Sequence, residues 1–146
     1  MTSEDEFSFG NLYMEFFEWS LSIKYLEEAY QLDSKSDRIK LSLGRTYLLS
    51  NMNLEKAEVL LESAAKQKKE STGVAFGNLG HLYLLKGDKT KAIDYYIKCI
   101  RTLKKEDDFI KKMGIDLKFV TKIGILEKDY LEIRDIVVHK NMSIDN

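Results

Sequence analysis

Apolar residues recur at three- and four-residue spacing through most of the chain, the period of amphipathic helices rather than strands. The clearest stretch is 73–105, GVAFGNLGHLYLLKGDKTKAIDYYIKCIRTLKK. Leu79, Gly80 and Tyr83 share one face of a first helix, and Ala92, Tyr96 and Cys99 recur at four and three residues along a second. Lys86-Gly87-Asp88 separates them, with Gly87 suited to a left-handed C-cap and Asp88 to capping the next helix. Gly80 and Ala92 lack bulk, so the two backbones can approach there, with Tyr83 and Tyr96 filling the space beside the contact.

The same unit recurs along the chain. Gly44 lies 36 residues before Gly80, in Leu43-Gly44-x-x-Tyr47, and Ala57, Leu61 and Ala64 follow at the matching offsets. Asn53 is placed to cap the second helix of this unit, which is expected to run from Leu54 to about Lys69. Lys66, Lys68 and Lys69 then suit the negative end of its dipole. Gly10 lies a further 34 residues back, in Phe9-Gly10-x-x-Tyr13, followed by Ser22, Leu26 and Ala29. Ser3 and Glu6 have the spacing of a capping box at the start of that unit. Its corner, Phe16-Phe17-Glu18-Trp19, replaces the Gly-Asp turn; those aromatics are either core of an end unit or an exposed apolar contact patch. Gly114 lies 34 residues after Gly80, preceded by Met113, with Leu117 in the Tyr position and Leu126, Tyr130 and Ile133 on the second helix. This fourth unit keeps the period and loses the small residues. An unrelated helical bundle would explain the amphipathicity but not glycines spaced 34, 36 and 34.

The Leu-Gly-x-x-Tyr pattern, followed by Ala, an aromatic and a small residue, resembles the tetratricopeptide repeat, a 34-residue helix-turn-helix. Phe76 stands where that family often has Trp, Cys99 replaces the second Ala, and Lys104 stands in place of the closing Pro; the chain has no proline. The resemblance implies an all-α, right-handed α-solenoid of about four helix-turn-helix units, eight helices in all, with the last unit degenerate. The expected units are 3–36, 37–72, 73–106 and 107–140 of a single domain spanning 1–146, with 141–146 a flexible tail. Gly10, Tyr13, Gly44, Tyr47, Ala57, Gly80, Tyr83, Ala92, Tyr96 and Gly114 are its expected packing positions.

Stacked units of this kind leave a concave face lined by first helices, and such arrays are generally non-catalytic scaffolds for a peptide or protein partner. The resemblance puts Asn11, Arg45, Asn78, His81 and Lys112 on that wall, able to hydrogen-bond an extended or acidic peptide. One subgroup clamps the C-terminal carboxylate of heat-shock chaperones with Lys, Asn and Arg. The corresponding positions here, Phe7, Asn11, Ser42, Val74 and Asn78, lack the charges, so chaperone-tail binding is not expected. Residues 71–106 are also similar in style to repeats of peptide-pheromone receptors of Gram-positive bacteria. Self-assembly, or service as an obligate subunit through the end faces, is the alternative.

Composition narrows the function further. The chain has 146 residues, 44% of them hydrophobic and 32% charged, which suffices for a real core. Net charge is −1, but 1–36 carry −6, 37–72 carry +2, 73–106 carry +4 and 107–146 carry −1. The start MTSEDEF lacks the basic and apolar regions of a secretory signal, and the expected location is cytoplasmic. Bases at 66–69 and 86–91 are interleaved with other residues, so nucleic acid is not an expected partner, and no apolar run suggests a membrane. One cysteine and two histidines, His81 and His139, give neither a disulfide framework nor a metal site. Cys99 falls at a helix-packing position, and the Gly73/Gly77/Gly80 run lies within a helix rather than in a phosphate loop. No cofactor and no catalysis are expected.

Overall fold

The computed structural model describes residues 1–67 and 71–144, and these form eight helices and no strand. They are α1 (Ser3–Glu15), α2 (Trp19–Leu32), α3 (Asp37–Ser50), α4 (Leu54–Ala65), α5 (Ser71–Leu85), α6 (Lys89–Leu103), α7 (Glu106–Lys122) and α8 (Glu127–Ile144). The chain divides into two compact units, Met1–Ser71 and Thr72–Asn146, each made of two helix-turn-helix pairs.

Every pair turns on the same backbone device. Phe17, Asn51, Gly87 and Gly124 all have positive φ, at 60°, 55°, 84° and 104°. In each case the amide of that residue donates to the carbonyl three back, and the next amide donates to the carbonyl five back from itself. At the first corner these bonds are Phe17 to Met14 (3.0 Å) and Glu18 to Tyr13 (2.9 Å); at the third, Gly87 to Leu84 (3.1 Å) and Asp88 to Tyr83 (2.9 Å). This is a Schellman closure, which satisfies carbonyls left open at a helix C-terminus. A left-handed Phe17 costs about 1–2 kcal/mol that glycine avoids. Two closing hydrogen bonds at about 0.5–1.5 kcal/mol each offset it, so the aromatic corner keeps the geometry of the Gly-Asp corner. It is not buried core: Phe16 is 68% exposed, and Phe17 meets Trp19 edge-on with ring centroids 5.9 Å apart.

The helix starts follow local chemistry. Asn53 and Asp88 accept from the amides of Lys56 and Lys91, both at 3.0 Å, as expected of these side chains. The first cap differs: Thr2, not Ser3, closes a capping box with Asp5, because the helix begins one residue earlier than the Ser3/Glu6 spacing suggested. Helix α4 ends at Ala65, short of Lys69, and Lys68 and Lys69 lie outside the described residues. In place of a frayed 141–146 tail, α8 stays helical to Ile144; 145–146 lie outside the described residues.

Close helix approach at small residues holds the pairs together. A Cβ on Gly10 would come within 2.5 Å of Leu26 Cγ, and one on Gly44 within 3.0 Å of Leu61 Cγ. One on Gly80 would overlap the buried Tyr96 ring. Opposite these glycines, Ser22, Ala29, Ala57, Ala64, Ala92 and Cys99 are fully buried on the second helices. Tyr13 stacks on Tyr25 (5.6 Å) in the first pair, and Tyr83 stacks on Tyr95 (5.5 Å) at the equivalent place in the third. In unit 1, Leu26, Leu43 and Leu60 join the two pairs, with Phe7, Tyr30 and Tyr47 packed around them. In unit 2 the largest buried side chains are Tyr96, Tyr130, Phe109 and Phe119.

The fourth pair departs from the expected packing. Gly114 is exposed, and a Cβ there would meet nothing within 4 Å. Phe109, Met113, Asp116 and Val120 form the buried face of α7, a spacing of four, three and four that excludes position 114. Leu126 is likewise exposed, because it precedes α8 and its carbonyl accepts from Tyr130 (3.0 Å). Tyr130 instead reaches across to α7, its hydroxyl donating to the Met113 carbonyl at 2.8 Å.

Two glycine substitutions should therefore move stability in opposite directions. Gly80→Ala is expected to destabilise by about 1–3 kcal/mol through overlap with Tyr96. Gly114→Ala is expected to stabilise by about 0.4–1 kcal/mol by removing unfolded-chain freedom at an open helical site. Denaturant unfolding of the two variants checks both signs.

Candidate functional site

The five residues assigned to a partner-binding wall fall in both units. Asn11 on α1 and Arg45 on α3 belong to unit 1 and are half-buried. Helices α1 and α3 are joined by Arg38, which approaches Glu4 at 3.5 Å and lies over the Phe7 ring at 4.8 Å from its centroid. Asn11 Oδ1 is shielded from solvent and accepts no hydrogen bond among the described residues. Glu4, Asp33, Lys35, Asp37 and Arg38 line an open cleft of about 920 Å³ in the same unit. Both signs of charge stand on its rim.

Asn78, His81 and Lys112 belong to unit 2, and their placement is different. Asn78 and His81 are fully buried on α5, and the Asn78 amide donates to the Val74 carbonyl at 3.0 Å. His81 sits in a continuous chain of polar groups. Its Nδ1 lies 2.6 Å from the Tyr96 hydroxyl on α6, and its Nε2 lies 2.8 Å from Asp116 Oδ2 on α7. Lys112 donates to the same Asp116 oxygen at 2.9 Å. The bonding partners assign the tautomer. A carboxylate can only accept, so Nε2 carries hydrogen toward Asp116, and Nδ1 accepts from Tyr96. Burial, more than the neighbouring acidic groups, pushes the Tyr96 hydroxyl well above the usual tyrosine range, so it remains a donor.

The sequence positions explain how this chain assembles. Lys112 and Asp116 are four apart on α7 and meet directly. Gly77 leaves room for Lys112, since a Cβ there would overlap the lysine side chain. His81 lies one residue after Gly80, so the approach that seats Tyr96 against α5 also brings its hydroxyl to the imidazole. Sequence reasoning placed His81 and Lys112 together on a partner-binding wall; they meet instead through Asp116, which it missed. A charged residue at the position equivalent to Leu82 and Thr46 was the available signal. His81 and Asn78 are core polar groups here, not exposed wall residues.

This arrangement differs from a nucleophile site. Cys99 is buried, and burial pushes its thiol up to about 11, with the nearby Lys112 opposing in part. A thiol so protonated is a packing group at neutral pH. Among the described residues no group of three or more His, Cys, Asp or Glu could hold a metal ion, and no helix is long and apolar enough to cross a membrane. The other polar cluster, in unit 1, is also internal. Ser22 donates to the Gly10 carbonyl at 2.8 Å and Thr46 to the Ser42 carbonyl at 2.8 Å.

Asp116→Ala is expected to cost about 3–5 kcal/mol, because it strands His81 and Lys112 in a dry site. Chemical denaturation gives that value. Cys99 should resist iodoacetamide at pH 8 in the native chain and react on unfolding, as mass spectrometry would record. Rapid native labelling would contradict its burial.

Residues 74–102 match the family model of the tetratricopeptide repeat. No curated protein matches the chain. The matched segment is the α5–α6 pair with its Gly87 corner and its Gly80–Tyr96 contact. A tetratricopeptide repeat therefore stands at 74–102.

Proposed function

We propose that the chain is a non-catalytic, cytoplasmic interaction scaffold that holds a peptide segment or protein partner against the first helices of unit 1. The carrying observation is Asn11: its Oδ1 is an acceptor without a donor among the described residues, on a half-buried side chain. An unmet buried acceptor costs about 1–3 kcal/mol, and rotation of the half-buried Asn11 side chain toward a ligand donor would recover it. Asparagine can bond a peptide amide through both its oxygen and its nitrogen, a mode suited to extended chains of varied sequence. Arg45 adds a planar donor fork for a carboxylate or carbonyl. The mixed charges of the Glu4–Arg38 cleft favour a polar segment over an apolar small molecule. Asn78 and His81 are left out of this reading, because their side chains serve the core of unit 2.

The test is selection of peptides from a random display library on the immobilised chain, followed by affinity measurement on an Asn11→Ala/Arg45→Ala variant. Enriched peptides should bind the variant at least about tenfold more weakly, a loss of about 1.4 kcal/mol, with helicity retained by circular dichroism. Equal binding to the variant, or no enrichment, would remove this wall as the site.

A further inference from the structure

The strongest unassigned surface is the outer side of α1. Phe9, Leu12 and Phe16 are 42%, 51% and 68% exposed, and their spacing of three and four puts them on one stripe. The buried side of the same helix is made by Glu6, Gly10 and Met14, so the stripe is not spare core. It continues onto α2, where Tyr25 lies 5.5 Å from Phe9 between ring centroids and Leu21 is exposed as well. Single exposed apolar residues are ordinary, but a stripe of two phenylalanines and a leucine is the form of an interaction surface.

Charge selects what fits it. Residues 1–36 carry eight acidic and two basic residues, and Glu4, Asp5, Glu15, Glu18 and Asp33 are all exposed. Asp5 is held below the usual carboxylate range by the hydrogen bonds from Thr2, chiefly its backbone amide. The stripe therefore lies in a negative field. Stripe-to-stripe pairing of two copies would bring two −6 segments together, which opposes a symmetric dimer there. A helix with apolar anchors at i, i+3 and i+7 and lysines or arginines at its edges matches both the spacing and the sign.

We infer that the α1 stripe of Phe9, Leu12 and Phe16 docks a basic amphipathic helix of a partner protein. This surface is separate from Asn11 and Arg45, which lie off the stripe, and it does not depend on their role. The chain carries one tryptophan, Trp19, at the corner where the stripe ends, and its emission reports occupancy.

The test titrates the full chain with an 18-residue peptide of leucines at helical spacing and lysines on the other face, and with a twin bearing glutamates for lysines. The lysine peptide should shift Trp19 emission saturably, and the glutamate twin should not. Leu12→Ser/Phe16→Ser alters only exposed side chains, so circular dichroism and the melting midpoint should match wild type while affinity falls at least about tenfold. Raising salt from about 0.05 M to about 0.5 M should weaken binding further. The Asn11→Ala/Arg45→Ala variant should bind the peptide like wild type. Three results would overturn the inference: equal affinity in Leu12→Ser/Phe16→Ser, an equal response to the glutamate twin, or no binding by emission and sedimentation. A concentration-dependent oligomer abolished by Leu12→Ser/Phe16→Ser would also overturn it, naming a second copy as the occupant.

Discussion

Each of the first three helix pairs depends on one steric constraint, a glycine in its first helix against a large side chain of its second. Gly10 faces Leu26 and Gly80 faces Tyr96 at distances that leave no room for a methyl group, and Gly44 faces Leu61 at a tight 3.0 Å. The rest of the pair follows from that contact. The helices must run antiparallel and close, so the connection between them must be tight, and the left-handed closure at Phe17, Asn51 and Gly87 supplies it. Small residues line the second helix on either side, because bulk there would separate the backbones. The fourth pair lacks such a glycine contact and is joined by Tyr130 to the Met113 carbonyl instead.

The two units use their polar residues differently. In unit 2, buried His81, Asp116 and Tyr96 and partly buried Lys112 are bonded to one another, and these satisfied bonds let a carboxylate sit in a core. In unit 1 the Ser22 and Thr46 hydroxyls are each bonded to a carbonyl, and the Glu6 and Asp37 side chains are buried as well. Glu4, Asp5 and Glu15 of α1 and the Glu4–Arg38 pair remain at the surface.

Much of the helix order was legible because the glycine spacing and the 3.6-residue pattern agree. Gly87-Asp88 and Asn53 marked their turns through side-chain and backbone chemistry that is purely local. The Phe17 corner was less legible, since an aromatic in a left-handed conformation is stabilised by closing bonds that composition does not display. Gly114 matched the period yet is exposed, because the α7 face is set by Phe109, Met113 and Asp116 rather than by a small-residue contact. His81 and Asn78 occupy positions that are outward in the family pattern, but the sequence does not record that a carboxylate 35 residues later meets the imidazole. The segment from Asn141 was read as a frayed tail, yet α8 continues to Ile144, because a helix end depends on packing that local propensity does not contain.

The His81 chain has one further consequence, for alignment. Helices that pack through repeated apolar stripes can slide by a turn, about 5.4 Å, and still bury much of the same surface. Dispersion and hydrophobic burial discriminate poorly between such shifted states. The Tyr96–His81–Asp116–Lys112 sequence of bonds joins α5, α6 and α7 at single atoms, and a one-turn slip breaks the contacts to His81 together. In unit 2 the polar core thus acts as an index mark, fixing which turn of each helix faces which.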